Sequence, residues 1–274
     1  MIVRVGALAV AVGLLAGCSA ADGGGRDYNP GHQPRYVVPD DSPDPAATWP
    51  GGGTGLGLPG LGQAQPSEPD HVVRGGAVSA VKGKPATFSL VNSADVVEVK
   101  VGDLGEELFA VSTAAESKVV PKVNVDGPTV VAGLRDTGLT GPALVTVVLS
   151  QNVRWVVRMT GGASDQTVDL TGGPGGDVEF VAGTSRAEVS LPAVPGTQRV
   201  ALGGGASQLV VNLAGSAPVR VAARNGAGEV TIDGQTTPGV PGGSVYTQPG
   251  WDTATDRFDI DASSGVSSMT VTHR

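Results

Sequence analysis

The chain has 274 residues, with 43 glycines, 20 prolines, 4% aromatic residues and a formal net charge of −8. The acidic balance argues against nucleic-acid binding, and the single cysteine rules out an intrachain disulfide bond. The length is enough for one large domain or two small ones.

The first 17 residues have the features of a short signal peptide. Arg4 provides the positive charge, and the apolar run at residues 5–16 is too short to span a bilayer. The run ends in Leu15-Ala16-Gly17-Cys18, which resembles the lipobox of bacterial lipoproteins. This resemblance implies lipidation of Cys18 and a lipid anchor at the extracytoplasmic face of the cell membrane. The alternative is an ordinary secreted protein.

Residues 18–75 form the predicted lipidated linker. Residues 19–75 contain nine prolines and twelve glycines and show no hydrophobic period. A segment of this composition cannot bury enough apolar surface to offset its ordering entropy. We therefore expect a disordered tether that holds a folded head away from the membrane. His32 lies in this tether.

Residues 76–150 change to short alternating runs that are typical of β-strands, such as 86–90 and 97–101. Asp, Gly and Pro residues separate the runs, and their spacing is irregular. We interpret this region as an irregular β subdomain. It is made either of degenerate rungs or of strands that cover the open end of a stack.

Residues 151–274 form the predicted repeat domain. Each copy has two triplets with apolar outer residues, and a Gly-rich turn separates them. The middle residue is polar or charged in seven of the eight triplets, and Ala201 is the exception. The first triplets are at 157–159, 178–180, 200–202 and 219–221, and the second are at 168–170, 189–191, 211–213 and 230–232. The outer residues of a triplet point to one face of a strand, so each copy provides two strands that need stacked neighbours to bury that face.

The repeat therefore predicts an all-β fold, a stacked β-rung rack or β-solenoid-like domain. In parallel register, Arg158 and Glu179 would be neighbours about 4.8 Å apart along the stack. The alternative fold is an antiparallel β-sandwich. Residues 233–250 are expected to be a long loop. The last strands, near 257–261 and 268–272, are expected at a charged sheet edge.

A search for catalytic chemistry gives no candidate active site, so the chain is predicted not to be an enzyme. His32, His71 and His273 are too scattered for a catalytic triad, and no His/Cys cluster has zinc spacing. The four aspartates at 252, 256, 259 and 261 lack the pattern of an EF-hand loop. We predict neither a metal site nor a cofactor. Six arginines are candidates for a stripe that binds anionic wall polymers, although a dispersed solvated surface is the simpler interpretation; they are Arg154, Arg158, Arg186, Arg199, Arg220 and Arg224.

The Gly-Gly-Ala-Ser turns, followed by 225–230, 259–261 and 265–271, resemble the toast-rack β domain of cell-wall-stress-response regulators and of uncharacterised bacterial envelope proteins. The resemblance covers about residues 150–274. It implies an extended β stack with a sensing or scaffolding role and no catalytic residues.

The anchor, the tether and the repeat together predict an envelope lipoprotein that presents a non-catalytic structural or interaction module. One form of this hypothesis is a role in envelope stress sensing. The partner would be an envelope protein or a cell-wall polymer. An alternative is a head that binds a wall polymer, lipid or amphiphile between its stacked faces. A less favoured alternative is a polysaccharide-acting enzyme, which needs paired carboxylates. The matching rung positions are expected to offer only Asp169, followed by Ser190, Asn212 and Thr231.

Overall fold

A computed structural model describes residues 71–81 and 83–274. Cys18, His32, the signal peptide and nearly all of the predicted linker lie outside these residues. The described part has one short helix, α1 (Val78–Val81), and is otherwise built of strands and their connections. None of its helices has the length and apolar character needed to cross a membrane. The prediction of an all-β fold is confirmed.

Nineteen strands make up the described part. The first seven are β1 (Val72–Ala77), β2 (Ala86–Leu90), β3 (Val96–Gly102), β4 (Glu107–Thr113), β5 (Val119–Asp126), β6 (Thr129–Asp136) and β7 (Leu144–Ser150). The next six are β8 (Trp155–Met159), β9 (Ala163–Asp169), β10 (Gly176–Phe180), β11 (Thr184–Leu191), β12 (Thr197–Leu202) and β13 (Ala206–Leu213). The last six are β14 (Val219–Ala223), β15 (Ala227–Ile232), β16 (Gln235–Val240), β17 (Ser244–Thr247), β18 (Arg257–Ala262) and β19 (Val266–His273).

The strands form two sheets. The ten-stranded sheet has the order β1-β4-β7-β3-β9-β11-β13-β19-β15-β16, and the nine-stranded sheet has the order β17-β14-β18-β12-β10-β8-β2-β6-β5. Each rung contributes one strand to each sheet, and neighbouring rungs pair in parallel. Val157, Val178 and Val200 are aligned across β8, β10 and β12. This parallel register distinguishes the stack from an antiparallel sandwich.

The core lies between the two sheets and is built from the outer residues of the triplets. Fifteen of these sixteen residues are buried, and the exception is Ile232 in β15. Alternation along each strand explains the pattern, because every second side chain points between the sheets. Along the interior rungs the space between the sheets is therefore filled by protein, and this counts against a ligand bound between the stacked faces there.

Strands on both sides of residue 150 share both sheets. The rung formed by β2 and β3 pairs in parallel with the rung formed by β8 and β9. Beyond it, β7 continues the ten-stranded sheet, and β4 and β1 add antiparallel strands at its edge. In the other sheet, β6 is followed by the antiparallel edge strand β5.

The last strand pair does not lie at a sheet edge, so that expectation was wrong. Instead, β18 lies between β12 and β14, and β19 lies between β13 and β15. The far sides of β14 and β15 are covered by the antiparallel strands β17 and β16. The expectation of a long loop at residues 233–250 was also wrong, because this segment contains β16 and β17. With the far sides covered, only the near sides are open to β18 and β19.

The glycines in the corners between paired strands have a different role from the one their conformational freedom suggests. Of the glycines in the four corner turns, Gly226 alone has a positive φ, of 82°. A Cβ on Gly161 would collide with the backbone of Asn92, and one on Gly204 would collide with the backbone of Ala182. These corners need glycine because neighbouring rungs approach closely there.

Candidate functional site

The outer surface of the nine-stranded sheet displays a group of charged side chains on five adjacent strands, β8, β10, β12, β18 and β14, or next to their ends. We call this surface the charged face; its members are Arg154, Arg158, Asp177, Glu179, Arg199, Arg220, Arg224, Asp259 and Asp261, and Arg257 at the start of β18 borders it. Outward positions on paired parallel strands are aligned, so these groups recur at intervals of about 4.8 Å. The sequence folds this way because the middle residue of a triplet is polar and its neighbours are apolar.

One row of the charged face has alternating charges. Asp259 lies between two arginines on neighbouring strands, with Arg220 donating two hydrogen bonds of 3.0 and 2.9 Å to its carboxylate. On the other side, Arg199 Nε lies 3.7 Å from Asp259 Oδ2. The row continues to Asp177, which accepts a hydrogen bond of 3.0 Å from the Arg199 backbone N–H. Asp259 thus ties the inserted strand β18 to both of its neighbours.

A second row lies beside the first. Arg158 Nε is 3.0 Å from Glu179 Oε2, as the predicted parallel register requires. Further along, Arg224 makes a two-point ion pair with Asp261, and this partnership raises the pKa of the Arg224 guanidinium. Between the two pairs lies Ala201, whose outward position leaves a small side chain in the middle of the row.

A tryptophan supports one part of the charged face. The Trp251 indole N–H donates a hydrogen bond of 2.7 Å to the Phe258 carbonyl. The guanidinium carbons of Arg220 and Arg257 lie 4.0 and 4.5 Å from the centre of its ring. Cation–π attraction of this kind holds a guanidinium in place, so Arg220 is fixed both by Asp259 and by Trp251.

The structure brings together five of the six arginines singled out in the sequence. Arg186 is the exception, because it lies on the ten-stranded sheet, where it contacts Glu188 at 2.9 Å and Gln208 at 3.1 Å. The five arginines of the charged face are interleaved with four carboxylates. The surface is therefore an ordered pattern of both charges and differs from a purely basic stripe.

A second candidate site is a pocket of about 520 Å³ at the end of the stack, next to the last rung. We call it the end pocket; the residues that define it here are Ile232, Asp233, Gln235, Val245, Tyr246 and Thr247. It lies beside β17, the edge strand of the nine-stranded sheet, and the turn from β15 to β16. Ile232, the exception in the buried core pattern, is thus part of its wall.

A network of hydrogen bonds fixes Asp233 at this pocket. Its carboxylate accepts bonds from the His273 backbone N–H at 2.9 Å and from Gln248 Nε2 at 2.9 Å. The His273 ring lies 3.0 Å from the same carboxylate through Nδ1 and 3.0 Å from the Ala217 carbonyl through Nε2. Partial burial raises the pKa of Asp233, but the bonds from His273 and Gln248 outweigh it, and the pKa lies below its usual value.

The histidines of the described part have partners that do not form a triad. His71 Nδ1 is 3.0 Å from the Thr113 hydroxyl, whereas His273 contacts Asp233 and a backbone carbonyl. A triad needs one histidine that joins a nucleophile to a carboxylate. Here the contact with a hydroxyl belongs to His71, and the contact with a carboxylate belongs to His273.

The aspartates at 256, 259 and 261 have different bonding partners and do not form one cluster. Asp256 accepts a hydrogen bond from the Gly196 N–H, while Asp259 and Asp261 pair with arginines. Within residues 71–81 and 83–274, no group of three or more His, Cys, Asp or Glu side chains could hold a metal ion.

The row of residues considered for polysaccharide chemistry differs from the expected one. Asp169, Ser190 and Asn212 are aligned, but Thr272 of the inserted strand continues the row. Thr231, which was expected there, aligns with Thr270. The row contains a single carboxylate, and paired carboxylates are what glycoside hydrolysis needs.

The fold is that of an all-β rack of stacked rungs, and the outer surface of its nine-stranded sheet is charged. No family model matches the sequence, and no curated protein matches it. The chain is similar to the crystal structure of a candidate cell adhesion protein from Clostridium sporogenes, with 16% identity and a TM-score of 0.51 over 70% of this chain and 95% of that chain. A candidate adhesin from Bacteroides fragilis has 10% identity and a TM-score of 0.22, over 74% of this chain and 98% of that chain. The first similarity supports a shared fold, and the second carries no argument.

The sequence pointed to the arginines, but it did not point to the end pocket. The pocket combines residues of β15, β16 and β17, two of which replaced an expected loop. A usable signal was the Asp233-Gly234 pair directly after an apolar-polar-apolar triplet. Such a pair predicts a two-residue hairpin turn, and both residues have positive φ, of 48° and 81°.

Proposed function

We propose that this protein is a non-catalytic interaction module of the cell envelope and that it recognises its partner through the charged face. In this proposal, lipid on Cys18 anchors the chain at the extracytoplasmic side of the cell membrane. Residues 19–75 then act as the spacer. The observation that carries the proposal is the ordered display of nine charged side chains along five adjacent strands.

Energetic reasoning supports recognition as the use of this face. Apart from those of the mostly buried Asp259, the ion pairs of the charged face are exposed, and exposed pairs contribute only about 0–1 kcal/mol each to stability. The buried triplet residues already hold the stack together. A rigid pattern of both charges can instead select a partner of complementary charge and fix its orientation. The strand pairing holds the charged side chains in register, so little conformational freedom is lost when a partner binds.

The comparison with known structures supports the same class of function. The similar chain from Clostridium sporogenes is described as a candidate cell adhesion protein, and adhesion is recognition at a cell surface. A role in envelope stress sensing is a finer form of the proposal. The resemblance to toast-rack domains supports it, since those domains imply sensing or scaffolding.

The anchor is tested by expressing the full chain and its Cys18→Ser variant, with metabolic labelling by radioactive palmitate and cell fractionation. We expect the wild type to carry label and to fractionate with the membrane. The variant should lose the label and leave the membrane fraction. Recovery of the unlabelled wild type from the cytoplasm would overturn the envelope assignment.

The charged face is tested by photocrosslinking in cells. A photoreactive amino acid replaces Ala201, which is small and lies in the middle of the face. The matched control replaces Ser190, which has the same outward position on the opposite sheet. We expect a discrete protein adduct from position 201 and a much weaker one from position 190. Equal adducts from both positions would contradict recognition through the charged face.

A second candidate function is the binding of an anionic wall polymer. Five arginines gathered on one face of an acidic chain favour it. In this case position 201 would crosslink to polymer, and binding to purified wall polymer would weaken steeply with salt, because exposed charges are screened within about 8 Å at physiological ionic strength.

A further inference from the structure

The end pocket is the open end of the core, and this explains its composition. Ile232 and Gln235 are cross-strand partners in β15 and β16, so their side chains lie on the same side of the ten-stranded sheet. Tyr246 pairs with Val221, which is fully buried, and therefore lies on the inner side of the nine-stranded sheet. Inner-facing residues of both sheets thus meet here with no further rung to cover them.

The polar part of the pocket is fixed in advance of any ligand. Gln248 donates a hydrogen bond of 2.9 Å to Asp233, and its carbonyl oxygen accepts one of 3.0 Å from the Val219 N–H. His273 holds Asp233 from the other side. The Asp233 side chain is still 38% exposed, so the carboxylate is oriented and accessible. A group held in this way loses little freedom when it binds.

The lining chemistry selects among ligand classes. Half of the lining residues are polar and half are apolar, and neither lysine nor arginine is among these described residues. An anionic ligand would find no cation to pair with the phosphate or carboxylate. A lipid chain would leave the exposed Gln235 amide facing hydrocarbon, at a cost of about 1–3 kcal/mol for an unpaired polar group, and it would not use the oriented Asp233 carboxylate.

A sugar ring fits this mixture of groups. It offers an apolar face to Tyr246 and Ile232, and hydroxyl groups to the Asp233 carboxylate and the Gln235 amide. Small-ligand pockets of about 300–1,000 Å³ commonly combine apolar walls with a few fixed polar groups, and the volume of about 520 Å³ lies in this range. We propose that the end pocket binds a neutral, hydroxyl-rich saccharide, as a ligand site that is separate from the charged face.

The test measures saccharide binding by the full chain, with saturation-transfer NMR and titration calorimetry. The probes are chitotetraose and maltotetraose as neutral oligosaccharides, tetragalacturonate as an anionic one, and an extended eight-residue Thr-Val peptide. The peptide probes the other use of this end, strand addition to the edge of β17. We expect binding of at least one neutral oligosaccharide and no binding of the other two probes.

Three variants locate the binding. Gln235→Ala changes an exposed side chain and should weaken binding about three- to tenfold, the equivalent of one hydrogen bond. Gln208→Ala is the matched control, because Gln208 lies on the outer face of the ten-stranded sheet and contacts Arg186. This control should bind as the wild type does. Tyr246→Ala should abolish binding, and Gln235→Ala keeps the test decisive if Tyr246→Ala fails to fold.

The proposal is overturned if no neutral oligosaccharide binds at millimolar concentration. It is also overturned if tetragalacturonate or the peptide binds in preference, or if Gln235→Ala and Gln208→Ala have equal affinity. These outcomes are independent of the proposed envelope function. That function is judged by lipid labelling at Cys18 and by crosslinking at position 201, neither of which involves the pocket.

Discussion

At one end of the stack, β1 and β5 pack against each other across the ends of the two sheets. At the other end, β15, β16 and β17 line a pocket of about 520 Å³. Both ends use antiparallel edge strands, and the edge strand β16 contains an exposed proline, Pro238. The ends therefore protect their edges in a similar way but differ in how well they cover the core.

The difference shows that a stack of rungs is closed by whatever follows its last rung. An interior rung is covered on both sides, whereas the rung of β14 and β15 has only short strands on its far side. Among the outer triplet residues of that rung, Ile232 remains partly open to solvent. Stability should thus reside in the interior of the stack, and ligand access should reside at the end pocket.

The largest effect is expected from a pair of identical substitutions. Ile260 in the inserted strand β18 is 0% exposed, whereas Ile232 lines the end pocket. Ile260→Ala should lower the free energy of unfolding by about 2–5 kcal/mol, because it leaves a cavity in the core. Ile232→Ala should cost about 1 kcal/mol, since much less area leaves water there.

Urea unfolding monitored by tryptophan fluorescence measures both values. Equal losses for the two variants would break the distinction between the interior and the end. A loss that is larger for Ile232→Ala would reverse it.

The next effect concerns the ion pairs that join the inserted strand to its neighbours. Asp259 has a side chain that is 11% exposed, and it contacts two arginines. Asp259→Ala should cost about 2–3 kcal/mol, because hydrogen bonds between charged groups are lost and Arg220 loses its partner. Asp177→Ala is the control, since Asp177 is more exposed and lies 3.9 Å from Arg154. The control should cost less than about 1 kcal/mol, and thermal unfolding compares the two.

A smaller effect of opposite sign is expected inside the stack. Gln166 is 1% exposed, and neither atom of its amide has a hydrogen-bond partner in the described structure. It aligns with Val97 and Ala187 on the inward side of the ten-stranded sheet. Gln166→Leu should stabilise the protein by about 1–2 kcal/mol, because an unsatisfied buried amide is replaced by an apolar group.

Gln198 provides the matched control for this substitution. It is equally buried, but its amide donates to the Pro192 carbonyl at 2.7 Å and accepts from the Gly176 N–H at 3.3 Å. Gln198→Leu should therefore destabilise the protein. If both substitutions lower the denaturation temperature, the missing hydrogen-bond partners of Gln166 are not the deciding factor.

The smallest effect is a pH dependence at the end pocket. The pKa of Asp233 is lowered in the folded protein by its bonds with His273 and Gln248, which outweigh the effect of burial. A lowered pKa means that its contribution to stability is present above the unfolded value of about 3.9 and is lost as pH falls through the folded value. The stability difference between wild type and Asp233→Asn should be larger at pH 6 than at pH 3. A difference that grows on acidification would contradict this assignment.

Much of the fold could be predicted from the sequence because the alternation of apolar and polar residues is a local signal. Val189 and Leu191 flank Ser190, and this spacing alone places the first two inward and the third outward. The pairing of Arg158 with Glu179 followed from the repeat length, since equal steps bring equivalent residues into register.

The place of the inserted rung, formed by β18 and β19, could not be predicted in this way. Ile260 and Val221 have similar surroundings in sequence, so either strand could pair with Val200 in β12. The choice depends on which sides of β14 and β15 are already covered by β16 and β17. The charged face was therefore only half visible in the sequence, because Asp259 and Asp261 meet Arg199, Arg220 and Arg224 only after β18 is inserted.

The amino-acid sequence was enough to predict that the described chain is all β and which outer residues of the triplets are buried, and it favoured a stack of rungs over an antiparallel sandwich. These properties follow from periods of two residues along a strand and about 21 residues along the chain. The order of the rungs, the pattern of charges on the outer face and the end pocket depend on how the rungs are arranged in the folded protein. The physical reason is that triplets of the same type are interchangeable as neighbours, so the covering of each rung selects its partners.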